Sequence, residues 1–218
     1  MSLLLGNTIA SNQNPGNQIQ NLSFNNGGGT DNYLFVAITH SNKTHSAKYN
    51  NVPMTLLGTN VFNGLSQRVA FWGLANPATG SNVIRVQYGS SQWNPTSIYA
   101  AAFSGCSGAT GYIGTGGASS PNSKSITISA NSMIYLSGIS NNSQSYGYII
   151  GGSTRTNLFA HNTNKQVEAA WSATGLPSGA TNCTTKADFG NITNVKVEIQ
   201  EASAPPSGNQ GNFLMMFN

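Results

Sequence analysis

Apolar and polar residues alternate with a period of two along most of this chain, in short runs broken by Gly, Asn, Ser and Pro. That alternation is the signature of β-strands, because successive side chains point to opposite faces of a sheet. The pattern predicts strands at Gln18–Phe24, Asn32–His40, Ser46–Tyr49, Val52–Leu57, Gln67–Leu74, Asn82–Tyr88 and Ser97–Ser104. It continues less clearly at Ser125–Ser129, Ser132–Ser140, Tyr146–Ile150, Gln166–Ala173 and Asn194–Gln200, with Thr174–Lys186 read as a polar loop. In Asn32–His40 both alternating sets are apolar, Tyr33, Phe35 and Ala37 against Leu34, Val36 and Ile38. A strand apolar on both faces belongs in the centre of a sheet, covered on both sides. Asn50-Asn51 lies between two runs and reads as a two-residue hairpin turn, since Asn tolerates positive φ. Apolar residues nowhere recur at helical spacing over three turns. The expected fold is an all-β, antiparallel, jelly-roll-like β-sandwich in a single domain. Residues 1–17 read as a polar N-terminal arm, 18–202 as the sandwich, and 203–218 as a linker with an apolar end.

Composition narrows the setting. Charged residues are 6% of the 218, against roughly 25% in an ordinary soluble protein. Neutral amides and hydroxyls take their place, which suits a particle exterior or an extracellular module. The net charge is +4, but the nine Lys and Arg are scattered along the sequence, without the basic stripe that marks nucleic-acid binding. No run approaches the ~18 apolar residues of a membrane span, and no signal-peptide core stands at the start. The expected partners therefore exclude nucleic acid and membrane insertion. Cys106 and Cys183 are the only cysteines; a disulfide and two buried reduced thiols both stay open, the second being favoured for a domain this large.

An ordered set of short motifs then carries a resemblance. Gly29-Thr30-Asp31 leads into the Tyr33–Ile38 strand, followed by Tyr49-Asn50-Asn51-Val52-Pro53-Met54-Thr55, Arg68-Val69-Ala70-Phe71-Trp72, Leu74-Ala75-Asn76-Pro77, Gly80-Ser81-Asn82 and Phe103-Ser104-Gly105. This resembles a β-sandwich module that recurs in bacteriophage virion proteins of the head and tail surface and in bacterial surface proteins. It covers roughly residues 29–107 well and extends loosely to Gln200; Cys106 departs from it, standing where an aliphatic residue is expected. The resemblance implies a non-enzymatic structural or adhesive role on a virion, with copies of the chain itself and other virion proteins as partners, and it supplies no catalytic residue. An extracellular or cell-surface location is the alternative.

The chemistry-bearing residues are few. Five carboxylates are present, Asp31, Glu168, Asp188, Glu198 and Glu201; glycoside hydrolysis needs a positioned pair, and only Glu168 and Asp188 are candidates to meet across strands. Asp31 reads as a turn residue. His40, His45 and His161 lack the neighbouring ligands of a zinc site, and Gly114-Thr115-Gly116-Gly117 lacks the helix and Lys of a phosphate loop. No metal and no cofactor is expected. Trp72 and Trp171 fall within strand patterns and read as core. Trp93, in the loop Gly89–Pro95, has two readings. It could stack on a sugar ring while Gln92 and Asn94 bond the hydroxyls of a host-surface glycan, or it could fold over the sandwich end as a plug. At the terminus, Phe213, Leu214, Met215, Met216 and Phe217 form an apolar segment expected to bury against a sheet edge, in its own subunit or a neighbour, as an assembly element.

Overall fold

The computed structural model describes residues 4–13, 18–41, 45–62, 67–89, 96–113, 118–119, 122–129, 132–140, 146–150, 153–155, 157–162, 166–171, 179–187 and 191–202. Among them every regular element is a strand and every described pairing is antiparallel. The first nine strands are β1 (Leu4–Gln13), β2 (Ile19–Asn26), β3 (Tyr33–Ser41), β4 (His45–Tyr49), β5 (Val52–Pro53), β6 (Thr55–Phe62), β7 (Gln67–Ala75), β8 (Gly80–Tyr88) and β9 (Thr96–Ser104). They form two sheets. Sheet I has the order β1-β9-β3-β7-β6 and sheet II the order β2-β8-β4-β5.

The remaining strands are β10 (Cys106–Ile113), β11 (Ala118–Ser119), β12 (Asn122–Ile128), β13 (Met133–Ser140), β14 (Tyr146–Ile150), β15 (Ser153–Arg155), β16 (Asn157–Asn162), β17 (Gln166–Trp171), β18 (Gly179–Ala187) and β19 (Asn191–Glu201). Sheet III runs β10-β19-β13-β17-β16, with β11 added on β19, and sheet IV runs β12-β18-β14-β15. These orders repeat those of the first half strand for strand: β10 stands for β1, β12 for β2, and so on to β19 for β9. The molecule is a duplicated sandwich. The correspondence extends to turns. Tyr49 pairs with Val52 across the two residues Asn50-Asn51, and Ile150 pairs with Ser153 across the two residues 151–152, both glycines. Gly80 and Gly179 open the equivalent strands β8 and β18, each at positive φ.

Two apolar layers hold this together. Between sheets I and II lie Leu34, Val36, Ile38, Ala70, Trp72, Ile98 and Ala100 from one side and Leu22, Phe24, Ala47, Tyr49, Ile84, Val86 and Tyr88 from the other, all buried. The opposite face of sheet I offers Phe35, Ala37, Val69, Phe71, Tyr99, Ala101 and Phe103, which pack on Cys106, Met133, Val197 and Ile199 of sheet III. Sheet I is thus a central layer, and β3, flanked by β9 and β7, is buried on both faces as its sequence predicts. Behind sheet III, β18 comes up against β19. Glu198, pointing away from the shared layer, is 2% exposed and accepts hydrogen bonds from the Ser129 N–H at 2.6 Å and the Ser132 hydroxyl at 2.9 Å. The halves also meet at the backbone, where the Cys106 N–H donates to the Asp31 carbonyl and the Ala202 N–H to the Gly105 carbonyl.

Several expectations are revised. Residues 4–13, expected as an arm, form β1 and pair along β9 at the edge of sheet I. The run Val52–Leu57 is two strands in different sheets, divided at Met54, whose N–H bonds back to the Ala47 carbonyl. Most of Thr174–Lys186, expected as loop, falls in β18 (Gly179–Ala187), which is paired on both sides.

Candidate functional site

The outward face of sheet II is set by the alternation that builds its core. In β2, Gln20, Leu22, Phe24 and Asn26 turn inward, so Ile19, Asn21, Ser23 and Asn25 turn out. In β8, Ile84, Val86 and Tyr88 turn inward, leaving Val83, Arg85 and Gln87 outside, and in β4, Ala47 and Tyr49 leave Ser46 and Lys48 outside. Among the described residues nothing acidic stands on this face.

A cleft of about 460 Å³ opens there, lined by Asn21, Asn50, Asn51, Ser81, Asn82, Val83 and Arg85. Its rim is the β4–β5 hairpin. Asn50 and Asn51 take φ of 48° and 62°, the left-handed pair that a two-residue turn of this hand requires. The Asn50 N–H is fixed to the Val83 carbonyl at 3.1 Å. Beneath, the Tyr49 hydroxyl donates toward the Ala78 carbonyl at 3.2 Å, and Asn82 Nδ2 donates to the Thr79 carbonyl at 3.1 Å and the Tyr49 oxygen at 3.3 Å. Buried Asn26 ties β2 to the same loop through Pro77 and Ala78. The cleft therefore has a braced wall of amides around one apolar side chain, Val83, which is 47% exposed.

A second cleft of about 320 Å³ adjoins it, lined by His45, Ser46, Lys48, Gln87, Tyr88 and Gly89. His45 is held by Trp72, whose indole N–H donates to His45 Nε2 at 2.9 Å while the two rings meet edge to face. To accept that bond the imidazole nitrogen must be unprotonated. Trp72 is core as expected, and it also positions a histidine at the rim of this cleft.

Between the clefts stands a pair of cations. Lys48 lies directly across the β4–β8 ladder from Arg85, which in turn faces Asn21 of β2. Arg85 Nε is buried and has no hydrogen-bond partner. Sequence reasoning passed over these two residues as part of a scattered set; the alternation had already put Arg85 outside, but only the strand pairing brings Lys48 opposite it.

The predicted ligand residues Gln92, Trp93 and Asn94 and the predicted assembly residues Phe213, Leu214, Met215, Met216 and Phe217 lie outside the described residues, as does Asp188. Gly89, the last described residue before Trp93, stands on the rim of the second cleft. Asp31 is a turn residue with φ of 51°. Cys106 is a free, buried cysteine whose Sγ–H contacts the Gly108 carbonyl, and burial pushes its thiol up to about 11. Among the described residues no three His, Cys, Asp or Glu gather as metal ligands, and no helix is long and apolar enough to cross a membrane.

No protein-family model, curated protein or solved structure matches the chain. The resemblance to virion modules accordingly rests on the residues quoted for it.

Proposed function

We propose that this chain is a non-enzymatic structural and surface-display protein of an assembled particle, of the kind carried on bacteriophage heads and tails as decoration, fibre or tail-surface subunits. The observation that supports this reading best is the duplicated sandwich fused through one apolar layer. Such a stack spends its chemistry on rigidity. Of its carboxylates, Asp31 serves a turn and Glu198 holds the residues ahead of β13. The outward face of sheet II remains for display, made of Asn, Ser and Gln with few charges. A neutral, hydroxyl- and amide-rich exterior limits adventitious ionic contacts. Assembly is expected to run through the segment 203–218.

The test is made on particles. Mass spectrometry of purified virions from the producing host should find the chain at fixed stoichiometry, and deletion of residues 203–218 should remove it from particles while leaving the free protein folded. Absence of the full-length chain from every particle fraction would sink the reading. A second reading, a glycan-binding surface protein, is supported by the amide-walled clefts of sheet II; retention on a glycan array distinguishes it.

A further inference from the structure

The pairing of Lys48 with Arg85 has a cost that the fold does not require. Like charges directly opposite on one face of an antiparallel pair destabilise it. The duplicated half shows what the same topology does without them. Ile84 pairs with Tyr49, and Cys183 pairs with Ile150 at the equivalent place in sheet IV, so the counterparts of Arg85 and Lys48 are Thr184 and Ile149, also paired. One half thus fills this rung of the ladder with neutral residues and the other with two cations. Among the described residues no carboxylate offsets them: Asp31 is in the turn before β3, Glu168 in β17 of sheet III, and Glu198 and Glu201 in β19. The buried, unpartnered Nε of Arg85 adds to the cost, because a buried donor ordinarily finds an acceptor. The repulsion is relieved when an oxyanion arrives at the part of the Arg85 side chain that lines the cleft, since a guanidinium offers a planar fork matched to a carboxylate.

The surroundings define the rest of the ligand. Asn21, Asn50 and Asn51 line the cleft with amides, groups that both donate and accept, the complement of sugar hydroxyls, while Asn82 spends its N–H groups on Thr79 and Tyr49 and braces the wall. Val83 supplies an exposed apolar patch for the C–H face of a ring. Lys48 lines one cleft and Arg85, its cross-strand partner, the other, so the pair links two openings whose combined extent suits a chain rather than a single sugar. From these features we propose that the outer face of sheet II binds a carboxylated polysaccharide, with a uronate-type carboxylate on Arg85, Lys48 beside it, and neighbouring hydroxyls on the asparagines. The proposal rests on the glycan-binding reading given above and specifies its ligand class.

The experiment is affinity electrophoresis of the full-length chain in native gels containing polygalacturonate, with dextran, dextran sulfate and a single-stranded oligonucleotide as parallel probes. The wild type is expected to be retarded by polygalacturonate and not by dextran, with retardation falling as salt rises. Arg85→Gln should weaken the interaction about tenfold or more, the loss expected for one charge-assisted contact, and Lys48→Gln should weaken it less. Both variants should melt no lower than the wild type, because a repulsion has been removed; if Arg85→Gln does not fold, Lys48→Gln carries the test. Equal retardation by dextran with no effect of Arg85→Gln overturns the carboxylate assignment but keeps the glycan reading. No retardation by any polysaccharide overturns both. Stronger retardation by dextran sulfate or the oligonucleotide than by polygalacturonate overturns the proposal in favour of a general polyanion surface.

Discussion

Truncating Ile199 tests whether the two halves share one core. Ile199 is fully buried in β19 and belongs to the apolar layer between sheets III and I, a cluster that includes Phe71 and Phe103 from the first half. Replacing it by Ala leaves a cavity bounded on one side by the other half, where collapse would need whole sheets to shift. Ile→Ala in such sites costs about 2–5 kcal/mol, and the enclosed position argues for about 3–5. For a chain of this size each kcal/mol shifts Tm by roughly 2–4 °C, so a fall of about 6–20 °C is expected. The assay follows urea and thermal unfolding by far-ultraviolet circular dichroism and by tryptophan fluorescence in a Trp93→Phe, Trp171→Phe background, where Trp72 alone reports and does so from the first half. With a shared core, a change in the last strand of the second half lowers the transition seen by Trp72, and the two signals stay coincident. Two separated transitions, with the one reported by Trp72 unmoved, would refute the shared core and make the halves independent domains.

Three further outcomes follow from local geometry. Cys106 should resist thiol reagents in the native state at pH 8; because its folded value is raised to about 11 from 9.0, its contribution is intact below about pH 9 and is lost as pH rises toward 11, by about 2–3 kcal/mol, and a stability–pH curve of Cys106→Ala matching the wild type would contradict this. Glu198→Ala leaves the Ser129 N–H and the Ser132 hydroxyl without their acceptor and should cost about 2–4 kcal/mol in urea unfolding, while Glu198→Gln, which keeps an acceptor oxygen, should cost less than half of that. Gly73→Ala would set a Cβ 2.7 Å from Tyr33 Cε1 and 2.8 Å from Leu57 Cδ1, so calorimetry should show a loss of about 1–3 kcal/mol from overpacking.

Much of the first half was legible because its strands carry their own signal. Asn32–His40 announced a doubly covered strand through two apolar sets, and Asn50-Asn51 announced its turn through two residues that accept positive φ; both describe the structure. Besides β1 and β16, the strands not predicted include two whose stability is borrowed. Cys106–Ile113 contains two glycines, and Gly179–Ala187 alternates small and polar residues, so neither has an apolar period of its own; each is held by pairing, β10 on β19 and β18 between β12 and β14. Val52–Leu57 read as one strand because alternation does not register a change of sheet at Met54. The duplication was hidden for a related reason. Topology constrains which positions are inward and where turns fall, and it accepts Asn-Asn in one half and Gly-Gly in the other. The cation pair of sheet II was half legible: alternation exposes Arg85 and Lys48 separately, while their adjacency is a property of strand pairing alone.

The pairing of β1 with β9, and of β10 with β19, sets an order of events during synthesis. Each half is completed by its last strand, which slots beside both its first and its third. While the ribosome is still short of residue 96, the place between β1 and β3 is empty and sheet I cannot exist in its final order. Once β9 has emerged, the first half can close, but the layer over Phe35, Phe71 and Phe103 stays incomplete until β19 has brought Val197 and Ile199, nearly a hundred residues later. At roughly 5–20 residues per second that interval lasts on the order of five to twenty seconds, long compared with the closing of a hairpin. A nascent chain of this design therefore carries a sticky aromatic face through the second half of its own translation, and a holdase, a partner copy or fast elongation has to protect it.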